Sequence, residues 1–355
     1  MSPKKYLGLF CIITFIILAI IAVTNYIVDP FMQYRVKDGK YILNPRFVNP
    51  GLLKNYDYDL LVMGSSMVQL LDMDLLRTKI PSKPLKIASG DMNTKELELL
   101  FSLASKEKTN TFIINLDIHK FFEHNEENRY SEYLYEDGWI NDLKYLTSYE
   151  ANKLTPVDLL LSKYIDGENE ISPKIYYRTH IDKIGDFRLD LNFARYNVKR
   201  DYCIRQKLDT KDIYHRMVHR FEEYVSNMRL QEYTDKEFIF LLPPYSAVYW
   251  HAAKEDGYYA ELIDFVDYVV NKLSPYDNIR VVCLYDSDFI VEVKTYADMV
   301  HYSPVRVEFI INALANKADD IDAYNLHTKI NRLDSLVSKF EVEHADWLKC
   351  DGNYY

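Results

Sequence analysis

The stretch DLLVMGSSM, residues 59–67, decides the fold. Its apolar run predicts a buried strand over Asp59–Met63, and the amphipathic segment Val68–Lys79 after it predicts a helix. A strand, a tight glycine turn and a helix start together expose a serine hydroxyl beside backbone N–H groups. Such a serine can attack an ester while the N–H groups hold the oxyanion, although serines at helix starts often serve only as caps.

A second stretch, YADMVHYSP at residues 296–304, carries complementary chemistry. Asp298 and His301 are three residues apart, so the carboxylate can hold one imidazole nitrogen while the other faces a serine. Ser303-Pro304 is typical of a helix start. We expect Tyr296 and Tyr302 to pack this turn. A serine after the first strand, with an Asp-x-x-His pair before a late helix, indicates a Ser-His-Asp triad.

Between these stretches the chain alternates short apolar runs with amphipathic segments, which predicts an α/β fold of three layers, α/β/α, around a five-stranded, mostly parallel sheet. Ligands bind at the carboxyl ends of parallel strands, where Gly64, Gly90, Asp117 and the Asp298/His301 turn would all lie. The predicted strands are Asp59–Met63, Leu85–Ala88, Thr111–Leu116, Phe238–Leu242 and Arg280–Tyr285, and the predicted later helices are Thr94–Lys106, Gly257–Leu273, Pro304–Lys317 and Asp319–Asp346.

The domain organisation follows from the same pattern. We predict a connector at 29–56, a main domain at 57–317 and a helical tail at 318–355. The third and fourth strands are separated by residues 118–235, far more than a crossover needs. This insertion, with helical patterns near 155–164 and 208–232, is predicted to cap the sheet edge and to choose the acceptor.

The N-terminus predicts a membrane anchor at residues 1–28. Tyr6–Val28 carries no charged residue and would span about 34 Å as a helix. No small-x-small cleavage site follows, so we expect an uncleaved single-pass anchor. Lys4 and Lys5 precede it, which places residues 1–5 in the cytoplasm and the main domain outside.

Charge and cysteine content limit the function classes. The 355 residues carry a formal net charge of −10, which argues against nucleic acid as a partner. A Cys203–Cys350 disulfide is possible but has no support from spacing, and Cys283 is interpreted as an inert core residue.

No metal or organic cofactor is expected. His215 and His219 have a spacing that can ligate a metal, but an exposed helix face is the stronger interpretation. His119 and His124 could line the site, although a surface position is favoured.

The Gly64-Ser65-Ser66 and Asp298-x-x-His301 blocks resemble those of the SGNH (GDSL-like) hydrolase superfamily. The resemblance is to its envelope branch, with the D-alanyl-teichoic acid protein DltD and the alginate and peptidoglycan O-acetylation proteins. It implies an SGNH-like fold with Ser66 as nucleophile, Ser65 being the other candidate.

The resemblance further implies that His301 is the general base, Asp298 orients it, and the N–H groups of Ser66 and Gly90 hold the oxyanion. The third block departs from the family pattern because Asp117 stands where an asparagine donor is expected. An ionised carboxylate would repel an oxyanion, so that donor is missing or comes from elsewhere. By their positions in the motifs, Ser65 and Asp117 are still placed with Gly90 among the predicted oxyanion- or substrate-binding residues.

The function implied is a membrane-anchored, extracytoplasmic serine acyltransferase or esterase. It would act on acetyl or D-alanyl groups of an envelope polysaccharide or teichoic acid, beside a possible membrane-bound O-acyltransferase. Two alternatives stay open: a surface carbohydrate esterase, and a non-catalytic glycan-binding protein that retains the fold.

Overall fold

The centre of the fold is a five-stranded sheet, seen in a computed structural model that describes residues 2–36, 45–122, 130–153, 155 and 191–350. All neighbouring strands run parallel, in the order β2-β1-β3-β4-β5. The five predicted strands are therefore confirmed, with small shifts at their ends. The strands are β1 Leu60–Gly64, β2 Pro84–Ala88, β3 Thr111–Asn115, β4 Glu237–Leu242 and β5 Ile279–Cys283.

The sheet and the helices that alternate with its strands form the expected α/β arrangement. The strands are almost entirely buried, as expected for parallel strands covered on both faces. Within the described residues the α-helices are α1 Pro3–Val28, α2 Pro45–Asn55, α3 Ser66–Gln69, α4 Met73–Lys79, α5 Thr94–Leu103, α6 Trp139–Thr147, α7 Leu191–Ile204, α8 Ile213–Met228, α9 Ala247–Asp256, α10 Tyr259–Leu273, α11 Val307–Ala315 and α12 Leu326–Glu343.

The described chain forms two compact units. One comprises residues 1–57, 99–105 and 127–176, and includes α1, α2 and α6. The other comprises residues 58–98, 106–126 and 177–355, and contains the sheet and every residue of the candidate site. Helix α1, with a mean hydropathy of 2.9 over its most apolar window, is long and apolar enough to span a membrane.

The predicted single helix Val68–Lys79 is wrong, because the chain breaks between α3 and α4. Asp72 caps α4 by accepting hydrogen bonds from the N–H groups of Asp74 and Leu75 at 3.0 and 3.2 Å. Buried Lys86 of β2 donates to the carbonyl oxygens of Gln69 and Leu71 at 2.5 and 2.7 Å. These two side chains satisfy the backbone groups that a continuous helix would have paired.

The segment after residue 318 also differs from the predicted helix Asp319–Asp346. Its first residues pair antiparallel with the edge of β5: the Cys283 N–H donates to the Asp319 carbonyl at 3.0 Å, and the Ile321 N–H to the Val281 carbonyl at 2.8 Å. This pairing covers an otherwise open sheet edge, and the helix begins only at Leu326.

The insertion is described in part. The helix predicted near 155–164 lies outside the described residues, apart from position 155. The pattern at 208–232 corresponds to α8, on which His215 and His219 are exposed. Helix α7 was not predicted. His124 is outside the described residues, whereas His119 is half-buried and lies 3.1 Å, ring Nδ1 to hydroxyl, from Tyr245.

A disulfide joins the end of α7 to the C-terminal segment. The Cys203 and Cys350 sulfurs are 2.11 Å apart, so the pairing that the sequence left open is present. Lys199 of α7 also donates to the carbonyl oxygens of Trp347 and Lys349. Cys283 is buried, and burial raises the pKa of its thiol to about 12, as expected for an inert core residue.

We expect a Cys203→Ser, Cys350→Ser double variant to lose roughly 2–4 kcal/mol of unfolding free energy, because the bond closes a loop of 147 residues in the unfolded chain. Unfolding of the full-length protein in detergent, with and without dithiothreitol, measures this. Reduction should lower the wild type to the level of the variant and leave the variant unchanged. Equal stability of oxidised wild type and variant would contradict the expectation.

Candidate active site

The chain places Ser66 at the carboxyl end of β1, as the first residue of α3. Gly64 makes this possible: a Cβ at that position would lie 2.6 Å from Asn115 Cβ and 3.0 Å from Val68 Cγ2. The glycine therefore lets the end of β1 lie against the end of β3. In the strand order 2-1-3-4-5, the switch in connection direction falls between β1 and β3, where parallel sheets form ligand crevices.

We expect Gly64→Ala to destabilise the fold by about 1–3 kcal/mol, since the added methyl group overlaps neighbouring side chains. Gly90→Ala is the matched control, because a Cβ at Gly90 meets nothing within 4 Å and the glycine follows the adjacent strand β2. Thermal unfolding of both variants in detergent tests the difference. Equal losses for the two would show that the close approach at Gly64 does not matter.

The Asp298–His301 turn is held by its own backbone and by two buried tyrosines. Asp298 Oδ1 accepts hydrogen bonds from the N–H groups of Val300 and His301, both at 2.8 Å. Tyr296 donates from its hydroxyl to the Pro244 carbonyl at 2.9 Å, and Tyr302 donates to the carbonyl of Met67. The prediction that both tyrosines pack this turn is confirmed, and Tyr302 ties the turn directly to α3.

The structure brings together the three residues predicted to form a triad. Ser66 Oγ lies 2.6 Å from His301 Nε2, and His301 Nδ1 lies 2.6 Å from Asp298 Oδ2. Serine and histidine are 235 positions apart in the sequence. This chain of two hydrogen bonds allows a proton to pass from the hydroxyl to the imidazole while the carboxylate steadies the charge that forms.

The electrostatics favour an ionised Asp298 and a basic His301. Burial opposes ionisation of Asp298, but the charge of His301, its hydrogen bond and the two backbone N–H donors together lower the pKa of the carboxyl group. Burial likewise disfavours the charged imidazole, yet the charge and hydrogen bond of Asp298, with a contribution from Asp117, raise the pKa of His301 above 6.5. His301 is thus a stronger base than a free histidine.

Ser65 and Asp117 form a buried network behind the serine. Ser65 Oγ donates to Asp117 Oδ2 and accepts from the Met67 N–H at 3.3 Å. Tyr245 donates from its hydroxyl to Asp117 Oδ1 at 2.9 Å. Asp117 is only 4% exposed, and both its oxygens accept hydrogen bonds. This geometry favours a positioning role over the predicted contact of Ser65 and Asp117 with oxyanion or substrate.

Gly90 lies in the exposed turn after β2, at the same edge of the sheet as Ser66. The neighbouring Ser89 N–H donates to the Gly64 carbonyl at 3.3 Å, which fixes this turn beside the end of β1. The oxyanion role of Gly90 stays a prediction.

Two residues near the site were missed by the sequence reasoning. Tyr245 follows the Pro243-Pro244 end of β4, and nothing in the sequence linked it to Asp117. Burial is the main cause of the raised pKa of the Asp201 carboxyl group on α7, and Arg200 opposes this effect. The charges of Asp298 and His301 also act on the Asp201 carboxyl group. Arg200 pairs with Asp201 at 2.8 Å. The insertion therefore brings an acidic group within electrostatic reach of the triad.

Comparisons with known protein families, curated proteins and solved structures add no functional evidence to the geometry of the site. No family model matches the chain, and no curated protein matches it. A solved structure that resembles it is the C-terminal catalytic domain of Streptococcus pneumoniae peptidoglycan O-acetyltransferase A (OatA), with a methylsulfonyl adduct. It is 11% identical, with 81% of this chain and 94% of that chain covered and a TM-score of 0.28. So distant a likeness carries no argument about the fold or the function of this chain.

Proposed function

We propose that this protein is a membrane-anchored, extracytoplasmic serine acyltransferase or esterase. It would act on acetyl or D-alanyl esters of an envelope polysaccharide or teichoic acid. The observation that supports this best is the pair of 2.6 Å contacts from Ser66 to His301 and from His301 to Asp298.

In the first step Ser66 Oγ attacks the carbonyl carbon of the acyl donor, and its proton moves to His301 Nε2. Asp298 stabilises the imidazolium that results. His301 then gives the proton to the departing alcohol oxygen, which leaves an acyl ester on Ser66. No cofactor is needed for these transfers of protons and acyl group.

In the second step an acceptor hydroxyl group, or water, gives its proton to His301 and attacks the Ser66 ester. As that ester breaks, His301 returns the proton to Ser66 Oγ, which restores the serine hydroxyl and the neutral imidazole and leaves the acyl group on the acceptor. Transfer and hydrolysis differ only in which nucleophile occupies the site.

The oxyanion would be held by backbone N–H groups. Ser66 is the first residue of α3, so its N–H has no acceptor within that helix. Gly90 would supply a second N–H, as the resemblance implies. Ser65, Asp117 and Tyr245 would act as positioning residues, since their network fixes the residue that precedes the nucleophile.

Two features support the proposed location. Helix α1 can span a bilayer, and the Cys203–Cys350 disulfide is of a kind that persists in oxidising compartments outside the cytoplasm. An envelope polymer is therefore the proposed acceptor, and a membrane-bound O-acyltransferase the proposed source of the acyl group.

The test is an acceptor assay with the full-length protein in detergent. With p-nitrophenyl acetate and an envelope polysaccharide, a transferase should place acetyl esters on the polymer, detected by mass spectrometry, in wild type but not in Ser66→Ala. Release of p-nitrophenol that depends on Ser66, without acetylated polymer, would identify an esterase. Release that is equal in both proteins would overturn the proposal and favour a glycan-binding role.

A further inference from the structure

Helix α6 carries an apolar face that the described protein does not cover. Trp139, Ile140 and Leu143 are 75%, 52% and 51% exposed. At 3.6 residues per turn these three side chains share about one third of the helix circumference, whereas buried Tyr145 lies on the opposite side. An exposed aromatic and aliphatic face of this kind indicates a contact surface.

Buried hydrogen bonds fix α6 to the C-terminal end of α1. Asn25 of α1, 1% exposed, donates from Nδ2 to the Leu146 carbonyl at 2.7 Å and to Asn152 Oδ1 at 2.9 Å. Tyr145 donates from its hydroxyl to Asp29 Oδ1 at 2.7 Å. Since these groups are satisfied inside protein, α6 has a set position along the axis of α1.

The exposed apolar surface of α1 continues to the C-terminal turns of that helix, where α6 is bonded. Val23, Tyr26 and Ile27 are 57%, 49% and 64% exposed in the last turns of the helix. The Arg35 guanidinium lies 4.8 Å from the centre of the Tyr26 ring and donates to the Tyr26 carbonyl at 2.8 Å. Tyrosine beside arginine at the end of an apolar helix is typical of a membrane–water interface.

We propose that α6 lies in the membrane interface, with Trp139, Ile140 and Leu143 inserted among the lipid headgroups and upper acyl chains. The bilayer is the proposed occupant of this face because buried hydrogen bonds hold α6 beside the end of α1, a helix long and apolar enough to span a membrane. A tryptophan and two aliphatic side chains on one face are the composition that such interfacial helices use. The inference depends on α1 spanning the membrane and is independent of the proposed catalytic function.

Tryptophan fluorescence of the full-length protein tests this. The protein is reconstituted in vesicles of phosphatidylcholine and phosphatidylglycerol whose upper acyl chains carry bromine, a contact quencher. Trp250 and Trp347 are present in both wild type and Trp139→Phe, so the difference between the two emissions reports Trp139. We expect brominated lipid to remove most of this difference emission, relative to vesicles without bromine.

A second variant guards against an effect of Trp139→Phe on folding. Adding Leu143→Trp to Trp139→Phe should restore emission that brominated lipid quenches. The proposal is overturned if bromine does not affect the emission from either position. In that case quenching by aqueous iodide would mean that the face is exposed to water, and no quenching by iodide would mean that a protein partner covers it.

Discussion

Ser66→Ala is expected to lower kcat for ester cleavage by the order of 10⁶-fold, the size of loss found when a triad serine is removed. Without Oγ there is no nucleophile at the position 2.6 Å from His301 Nε2, and Ser65 cannot replace it because its hydroxyl donates to buried Asp117. Stopped-flow or steady-state release of p-nitrophenol by the full-length protein measures the loss.

The matched control for this loss is Ser335→Ala, on the exposed side of α12, where the hydroxyl donates to the Asn331 carbonyl at 2.9 Å. It should keep wild-type kcat. A Ser66→Ala protein with a near-native unfolding midpoint and more than one tenth of wild-type kcat would show that the hydrolysis occurs elsewhere.

Asp298→Asn is expected to lower kcat about 10⁴-fold, since the carboxylate that fixes the tautomer of His301 and stabilises its imidazolium is removed.

The pH profile of the reaction should move in Asp298→Asn as well. His301 must be neutral to accept the Ser66 proton, so wild-type activity should rise with pH through a pKa above 6.5. The amide introduced by this substitution carries no charge, while the burial that lowers the pKa of His301 remains, so the acid limb should shift to lower pH.

The readout is kcat/KM for p-nitrophenyl acetate across the pH range, in wild type and in Asp298→Asn. Asp288→Asn is the control, because Asp288 is 82% exposed and pairs with Arg332 at 2.9 Å. It should leave both the rate and the acid limb unchanged. An acid limb that stays in place when Asp298 is neutralised would mean that another group, and not His301, controls the rate.

The sheet could be predicted because its strands are buried on both faces, and such strands appear in the sequence as short apolar runs. The approach of Ser66 to Asp298 and His301 could also be anticipated, because both motifs were predicted to lie at the carboxyl-end edge of the parallel sheet. Tyr302, which joins the two motifs by donating to the Met67 carbonyl, was predicted only to pack.

Other features depend on tertiary partners that no local pattern reveals. The break after α3 is held by Lys86, which is distant in sequence and looks like an ordinary strand residue. The Cys203–Cys350 pairing depends on α7 reaching the C-terminal segment. From the sequence, Asp117 appeared only as a carboxylate in place of the expected asparagine donor. In the structure it is buried behind Ser65 and accepts hydrogen bonds from the Ser65 and Tyr245 hydroxyl groups.

The central claim is that Ser66 is a nucleophile activated by His301, and covalent trapping tests it most directly. The full-length protein is treated with a sulfonyl fluoride at neutral pH, digested and analysed by mass spectrometry. We predict a single sulfonyl adduct on the peptide that carries Ser66, lost in Ser66→Ala and strongly reduced in His301→Ala. No adduct on Ser66, or equal labelling of Ser66 with and without His301, would contradict the account.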